Sequence, residues 1–181
     1  KVSQAARRRP DINHFSGVSV RMTIHNMETL VSNALRRAVR LKEGSVAPRI
    51  TDLPHLSSTM KGKVEWNFAE AAEEDEKLGA LVREAVLNVF RYTFQQTAFN
   101  DFLAVFTQPA EIVVSELSPV AEYQALCSQY PMLRQAAQHL VPDASQAMLA
   151  SCCEFILEGL AVSGRIARTT SRGHARYTQP Q

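Results

Sequence analysis

The sequence predicts a mostly α protein, a small helical bundle followed by a C-terminal helical domain of four or more helices. Three observations lead there. Apolar residues recur at spacings of three and four through the long windows 18–42, 73–96 and 144–167. Proline, glycine, serine and aspartate punctuate the ends of those windows. Extended candidates are few and short. At 181 residues, 45% hydrophobic and 21% charged, the chain is long enough for one domain or two small ones with a real core.

Residues 1–9 read as a helix that Pro10 stops, and 11–17 as a loop. A long helix over 18–42 follows. Val20, Ile24, Met27, Leu30, Val31, Ala34, Leu35, Ala38 and Leu41 fall on one stripe, expected to face inward. Arg36, Arg37, Arg40 and Lys42 gather near its C-terminus, where the helix dipole favours cations, and Gly44 suits the position just past the end.

Val46 to Ile50 reads as extended, because Pro48 disfavours helix just before it. Thr51 is the expected N-cap of a short helix from Asp52, with Pro54 in its first turn. Lys61-Gly62-Lys63 ends a helical stretch and leads into a brief strand over 64–68. The acidic run 70–76 suits the first turn of a helix over 73–96, with Leu78, Leu81, Val82, Val86, Val89, Phe90 and Phe94 inward.

Phe102 to Phe106 is apolar, and Ile112-Val113-Val114 is a strand or buried extended segment. Ser118 as N-cap and Pro119 at the first position open a helix to Gln129; Pro131 opens another through Leu140. Asp143 is expected to cap the last helix, 144–167, with Leu149, Cys152, Phe155, Ile156, Leu160 and Ile166 inward. Residues 169–181 are polar and expected to be disordered.

Several classes of chemistry lack their residues. No phosphate-binding Gly-x-x-x-x-Gly-Lys-Ser/Thr loop, Gly-rich dinucleotide turn or Gly-x-Ser-x-Gly elbow occurs. The five histidines have no metal-site spacing, and no apolar run reaches the roughly 20 residues that span a membrane. Cys127, Cys152 and Cys153 are odd in number, as expected in a reduced, cytoplasmic compartment; Cys152 and Cys153 are expected to serve as core packing. Charge is uneven: residues 1–49 hold ten Lys and Arg against three acids, and the tail from Arg165 is also basic. Such faces suit solvent or an acidic neighbour as readily as nucleic acid.

One residue stands apart. Arg21 lies at a helix start, in Gly17-Val18-Ser19-Val20-Arg21, where the dipole is already positive. It calls for solvent or an anion. This segment, with Ala34-Leu35-Arg36-Arg37-Ala38, Gly44 and Val46-Ala47-Pro48-Arg49-Ile50-Thr51-Asp52-Leu53, resembles the helical lid of AAA+ ATPases, those of the magnesium chelatase ATPase subunit and MoxR-like proteins in particular. The stretches 9–21 and 57–63 resemble a magnesium chelatase-like bacterial subset. Val20 stands where the commoner form has proline.

The resemblance covers residues 1–67 and implies a division into an AAA+ lid-like unit (1–67), a C-terminal helical domain (68–168) and a tail (169–181). It implies that Arg21 is the sensor 2 arginine, touching ATP held with Mg2+ mainly by an N-terminal core outside this sequence. It implies as partners that core, other subunits of a ring, and a von Willebrand A-type protein. No catalytic residue and no metal ligand are expected in this chain itself, nor a membrane partner. The start at Lys1, inside a helix-like stretch, fits a piece of a longer protein. A second reading is a free-standing helical protein-interaction or nucleic-acid-binding module using the basic faces of 1–49 and 165–176. No recognition helix with a short preceding turn is evident, so nucleic acid is not the expected partner. A third, a small helical enzyme, has no candidate site in the sequence.

Overall fold

A computed structural model describes residues 1–13, 18–67, 73–95, 99–107 and 110–180. The described part is mostly helical with one small sheet. Helix α1 (Val2–Ala6) precedes the long α2 (Val20–Leu41). A 3-10 segment, Ile50–His55, runs into α3 (Leu56–Met60), and α4 covers Glu74–Thr93. Then come α5 (Asn100–Ala104), β1 (Ile112–Ser115), α6 (Val120–Gln129), α7 (Pro131–Leu140), α8 (Gln146–Val162), β2 (Ala167–Ser171) and β3 (His174–Thr178). The three strands are antiparallel in the order β1-β3-β2.

Among the described residues the two larger apolar clusters make up most of the core, with a small third of Ala47, Val120 and Ala147. The first joins Ala6, Ile12, Met22, Leu56, Met60, Leu78 and Leu81. The second is larger and centres on α8, where ten of 17 residues are buried. Helix α4 serves both, with Leu78, Leu81 and Ala85 in the first cluster and Phe90, with Phe94 just past its end, in the second. Gly159 on α8 makes this possible, since a Cβ there would overlap the Phe90 ring. Phe90 also stacks on Phe99, with ring centroids 5.9 Å apart. The expected boundary at 67/68 adjoins residues 68–72, which lie outside the described residues, as does part of the acidic run.

Several local expectations are corrected. The C-terminus of α2 turns at Lys42, in the left-handed region at φ 56°, rather than at Gly44. The short helix begins at Ile50 with Arg49 before it, so Thr51 is not its cap; Asp52 instead accepts from the Arg49 N–H at 2.7 Å. The brief strand after Gly62 is reduced to two isolated antiparallel bridges, Val18 to Val64 and Ile12 to Trp66; Phe68 lies outside the described residues. Helix α6 starts one residue later than expected, because the Ser118 hydroxyl accepts from the Ser115 N–H at 3.1 Å rather than capping. Ser145, not Asp143, caps α8, accepting from the Met148 N–H at 3.3 Å. That helix also ends at Val162, five residues early.

The polar tail is the largest difference. The expected disorder of 169–181 gives way, over 169–178, to the β2–β3 hairpin, which begins at Ala167. Ala175 and Tyr177 alternate with exposed His174 and Arg176, so one face of β3 closes the second core. Arg172 (φ 49°) and Gly173 (φ 77°) form its two-residue turn, the pair of left-handed residues that a tight hairpin requires.

Candidate functional site

The start of α2 is fixed from two sides. Val18 is pinned by its bridge to Val64, and Met22 is fully buried in the first core. Between them Ser19 caps the helix, its hydroxyl accepting from the Arg21 N–H at 3.2 Å. With Met22 inward, Arg21 is turned out to solvent. No acid lies in the first turn, and among the described residues the Arg21 guanidinium has no ion-pair partner. Gly17 lies outside the described residues. A helix N-terminus carrying an unneutralised cation is an anion-seeking arrangement.

The apolar stripe of α2 does not face inward as expected. Val20, Ile24, Met27, Val31 and Leu35 are all exposed, with Val20 at 68% and Met27 at 62%, and Val39 extends the row. Of the residues expected inside, Ala34 and Ala38 are buried while Leu30 and Leu41 are half-buried. The buried face carries Met22, Asn26, Asn33 and Arg37 instead. Side chains of this size leave an apolar strip on the order of 600 Å², at the upper end of what a monomer presents to water. Helical geometry sets Arg21 and Glu28 along one edge of it.

A second constellation joins the two clusters. Arg37, one of the cations expected to answer the dipole at the end of α2, is 2% exposed. It donates to Asp52 and to the Ala47 carbonyl, both at 2.7 Å. Arg49 donates to the Ser118 carbonyl at 2.6 Å and lies 4.6 Å above the Tyr123 ring. Glu154, fully buried on α8, accepts from the Thr51 N–H at 2.9 Å and from the Tyr123 hydroxyl. Burial drives the Glu154 carboxyl above its ordinary pKa, against the pull of Tyr123, Thr51 and Arg49. The Ser151 hydroxyl donates to the Pro48 carbonyl at 2.6 Å. Segment 46–55 is thus riveted to α6 and α8, which orients α2 against the C-terminal helices.

At the outer end of this joint, Arg36 meets Glu116 at 2.7 Å and His55 lies 3.5 Å from the same carboxylate. Burial alone would raise Glu116, but the Arg36 hydrogen bond and the neighbouring charges outweigh it and hold it below its usual value. Among the described residues no three His, Cys, Asp or Glu side chains converge as a metal site would need. A cleft of about 310 Å³ between α1 and α4 is lined by Arg8, Glu84, Asn88 and Tyr92, and does not include Arg21.

The sequence reading placed Arg21 at its helix start. It did not foresee the buried roles of Arg37 and Asp52, and it missed Glu154 and Tyr123. Arg37 and Asp52 stand only 15 positions apart, but their contact forms through the fold and left no local signal. Comparison with protein-family models, with curated proteins and with solved structures gives no match.

Proposed function

We propose that this chain is the lid and C-terminal helical domain of a magnesium chelatase-like AAA+ ATPase, lending Arg21 as a sensor 2 cation to ATP bound by an N-terminal core. The observation that carries this reading is the pairing of two unmet needs on one helix. Arg21 is exposed and has no ion-pair partner among the described residues, and the exposed apolar strip of α2 begins beside it. A partner that offers an apolar surface and a phosphate at one end of it meets both.

Arginine suits the role because it stays charged and presents several donors to phosphate oxygens. Loss of the γ-phosphate removes part of that attraction and changes the lid's preferred position. The riveted segment 46–55 would carry the movement from α2 to α6 and α8 as one body. Ring neighbours and a von Willebrand A-type protein are the partners this reading brings, in the cytoplasm.

The test joins this chain to its ATPase core and replaces Arg21 with alanine. Hydrolysis should fall strongly, with the helical circular dichroism and melting temperature unchanged. Wild-type turnover in that variant would overturn the sensor 2 role.

A further inference from the structure

Helices α6 and α8 meet at a pair of sulfurs. Cys127 Sγ and Cys153 Sγ are 3.2 Å apart, both buried in the second core. A disulfide needs about 2.05 Å, so the two helices have about 1.2 Å to close. Cys152 is adjacent in sequence to Cys153 but makes no such contact among the described residues. The neighbours of the pair matter as much as its distance. Tyr123 lies one turn before Cys127 on α6, and Glu154 directly follows Cys153 on α8. The Tyr123–Glu154 bond thus sits beside the sulfurs, and Glu154 holds the Thr51 N–H of the joint.

We propose that Cys127 and Cys153 are a site of reversible disulfide formation that locks α6 to α8 and tightens the joint to segment 46–55. The oxidant is a hydroperoxide. Cys127 is the attacking sulfur: it shares a hydrogen bond with Cys153 in which either sulfur can donate, and the Arg134 charge on its side favours its thiolate. The Cys127 proton is lost to water and the thiolate takes the terminal oxygen; the O–O bond breaks and an alcohol leaves with a proton. Cys153 then attacks the sulfenic sulfur, the S–O bond breaks, the S–S bond forms and water departs with the Cys153 proton. The sum is two thiols and one hydroperoxide giving one disulfide, one alcohol and one water. Burial makes the reaction depend on local opening of the ten-residue α6, and afterwards shields the bond from bulky reductants.

The experiment treats the full chain with tert-butyl hydroperoxide, then unfolds it and alkylates free thiols. Two of the three cysteines should become unreactive, with Cys152 still labelled and a Cys127–Cys153 peptide recovered that dithiothreitol separates. Cys152→Ser should behave as the wild type; Cys127→Ser and Cys153→Ala should form no intramolecular bridge. In the oxidised protein the Thr51 amide should exchange with solvent on the order of tenfold more slowly. Three labelled thiols after exhaustive oxidation, a bridge that includes Cys152, or sulfinic acid at Cys127 without a bridge would each overturn the site. Unchanged Thr51 exchange in the bridged protein would overturn its link to the joint.

Discussion

Arg37 Nη1 lies 2.7 Å from Asp52 Oδ1, with both side chains shut away from water. Neither is left with a bare charge: Arg37 also donates to the Ala47 carbonyl, and Asp52 accepts from the Arg49 N–H. Removing one partner strands the other, which typically costs about 3–5 kcal/mol, whereas replacing both by apolar groups of similar volume is often neutral. Arg37→Ala and Asp52→Ala should each lower stability by that amount in urea unfolding. Arg37→Met with Asp52→Leu should recover most of the loss, and a double variant no better than the worse single would contradict the pairing.

The raised pKa of Glu154 has a definite sign for stability. A carboxyl whose folded pKa lies above its ordinary 4.5 favours the folded state at low pH, and that contribution is lost as pH rises through the folded value. Glu154→Gln keeps an acceptor for the Thr51 N–H without burying a charge. The variant should therefore gain on the wild type as pH climbs above the ordinary 4.5. Comparing the two proteins at each pH cancels Asp11 and Glu116, which are held low and lose their contribution on acidification. A difference in melting temperature that is flat with pH would count against a charge buried at Glu154.

Gly159→Ala should destabilise, although alanine is the better helix former by about 1 kcal/mol. The new methyl meets the Phe90 ring, which is itself packed against Phe94, Phe99 and Phe155 and has little room to withdraw. Overpacking of this kind typically costs about 1–3 kcal/mol, so the net melting temperature should fall. A rise would mean that Phe90 moves aside freely.

Much of the helical content was legible because three–four periodicity is local, whereas the expected caps at Gly44, Thr51, Ser118 and Asp143 were not the ones used. Pro131 opens α7 as expected, and α2, α4 and α8 lie within the predicted windows. Which face of α2 is buried was not legible. Periodicity shows that an apolar stripe exists, but its covering depends on what lies across from it. Here α3 and the 3-10 segment approach the side bearing Met22, Asn26 and Arg37. The hairpin was hidden for a related reason. Its exposed positions are polar, leaving only Ala175 and Tyr177 to signal a buried face. Arg21 was legible because a helix start is a local event. The Glu154 network was not, since Thr51 and Glu154 meet across 103 positions of sequence.

The bare strip of α2 separates folding from docking in a measurable way. Ile24 and Leu35 are 53% and 50% exposed, so Ile24→Glu and Leu35→Glu remove little packing within this chain. Exposed substitutions of this kind usually stay within about 0.5 kcal/mol, and melting temperatures should be nearly unchanged. Docking onto a nucleotide-binding core through this strip would instead bury a carboxylate against apolar surface, a cost that association cannot absorb. ATP hydrolysis by the joined protein should then fall in both variants. Thr23, on the same helix but bonded to Ser3 at 2.7 Å, gives the contrast: Thr23→Ala should spare hydrolysis. Both strip variants retaining full turnover would show that α2 is covered by something other than the ATPase core.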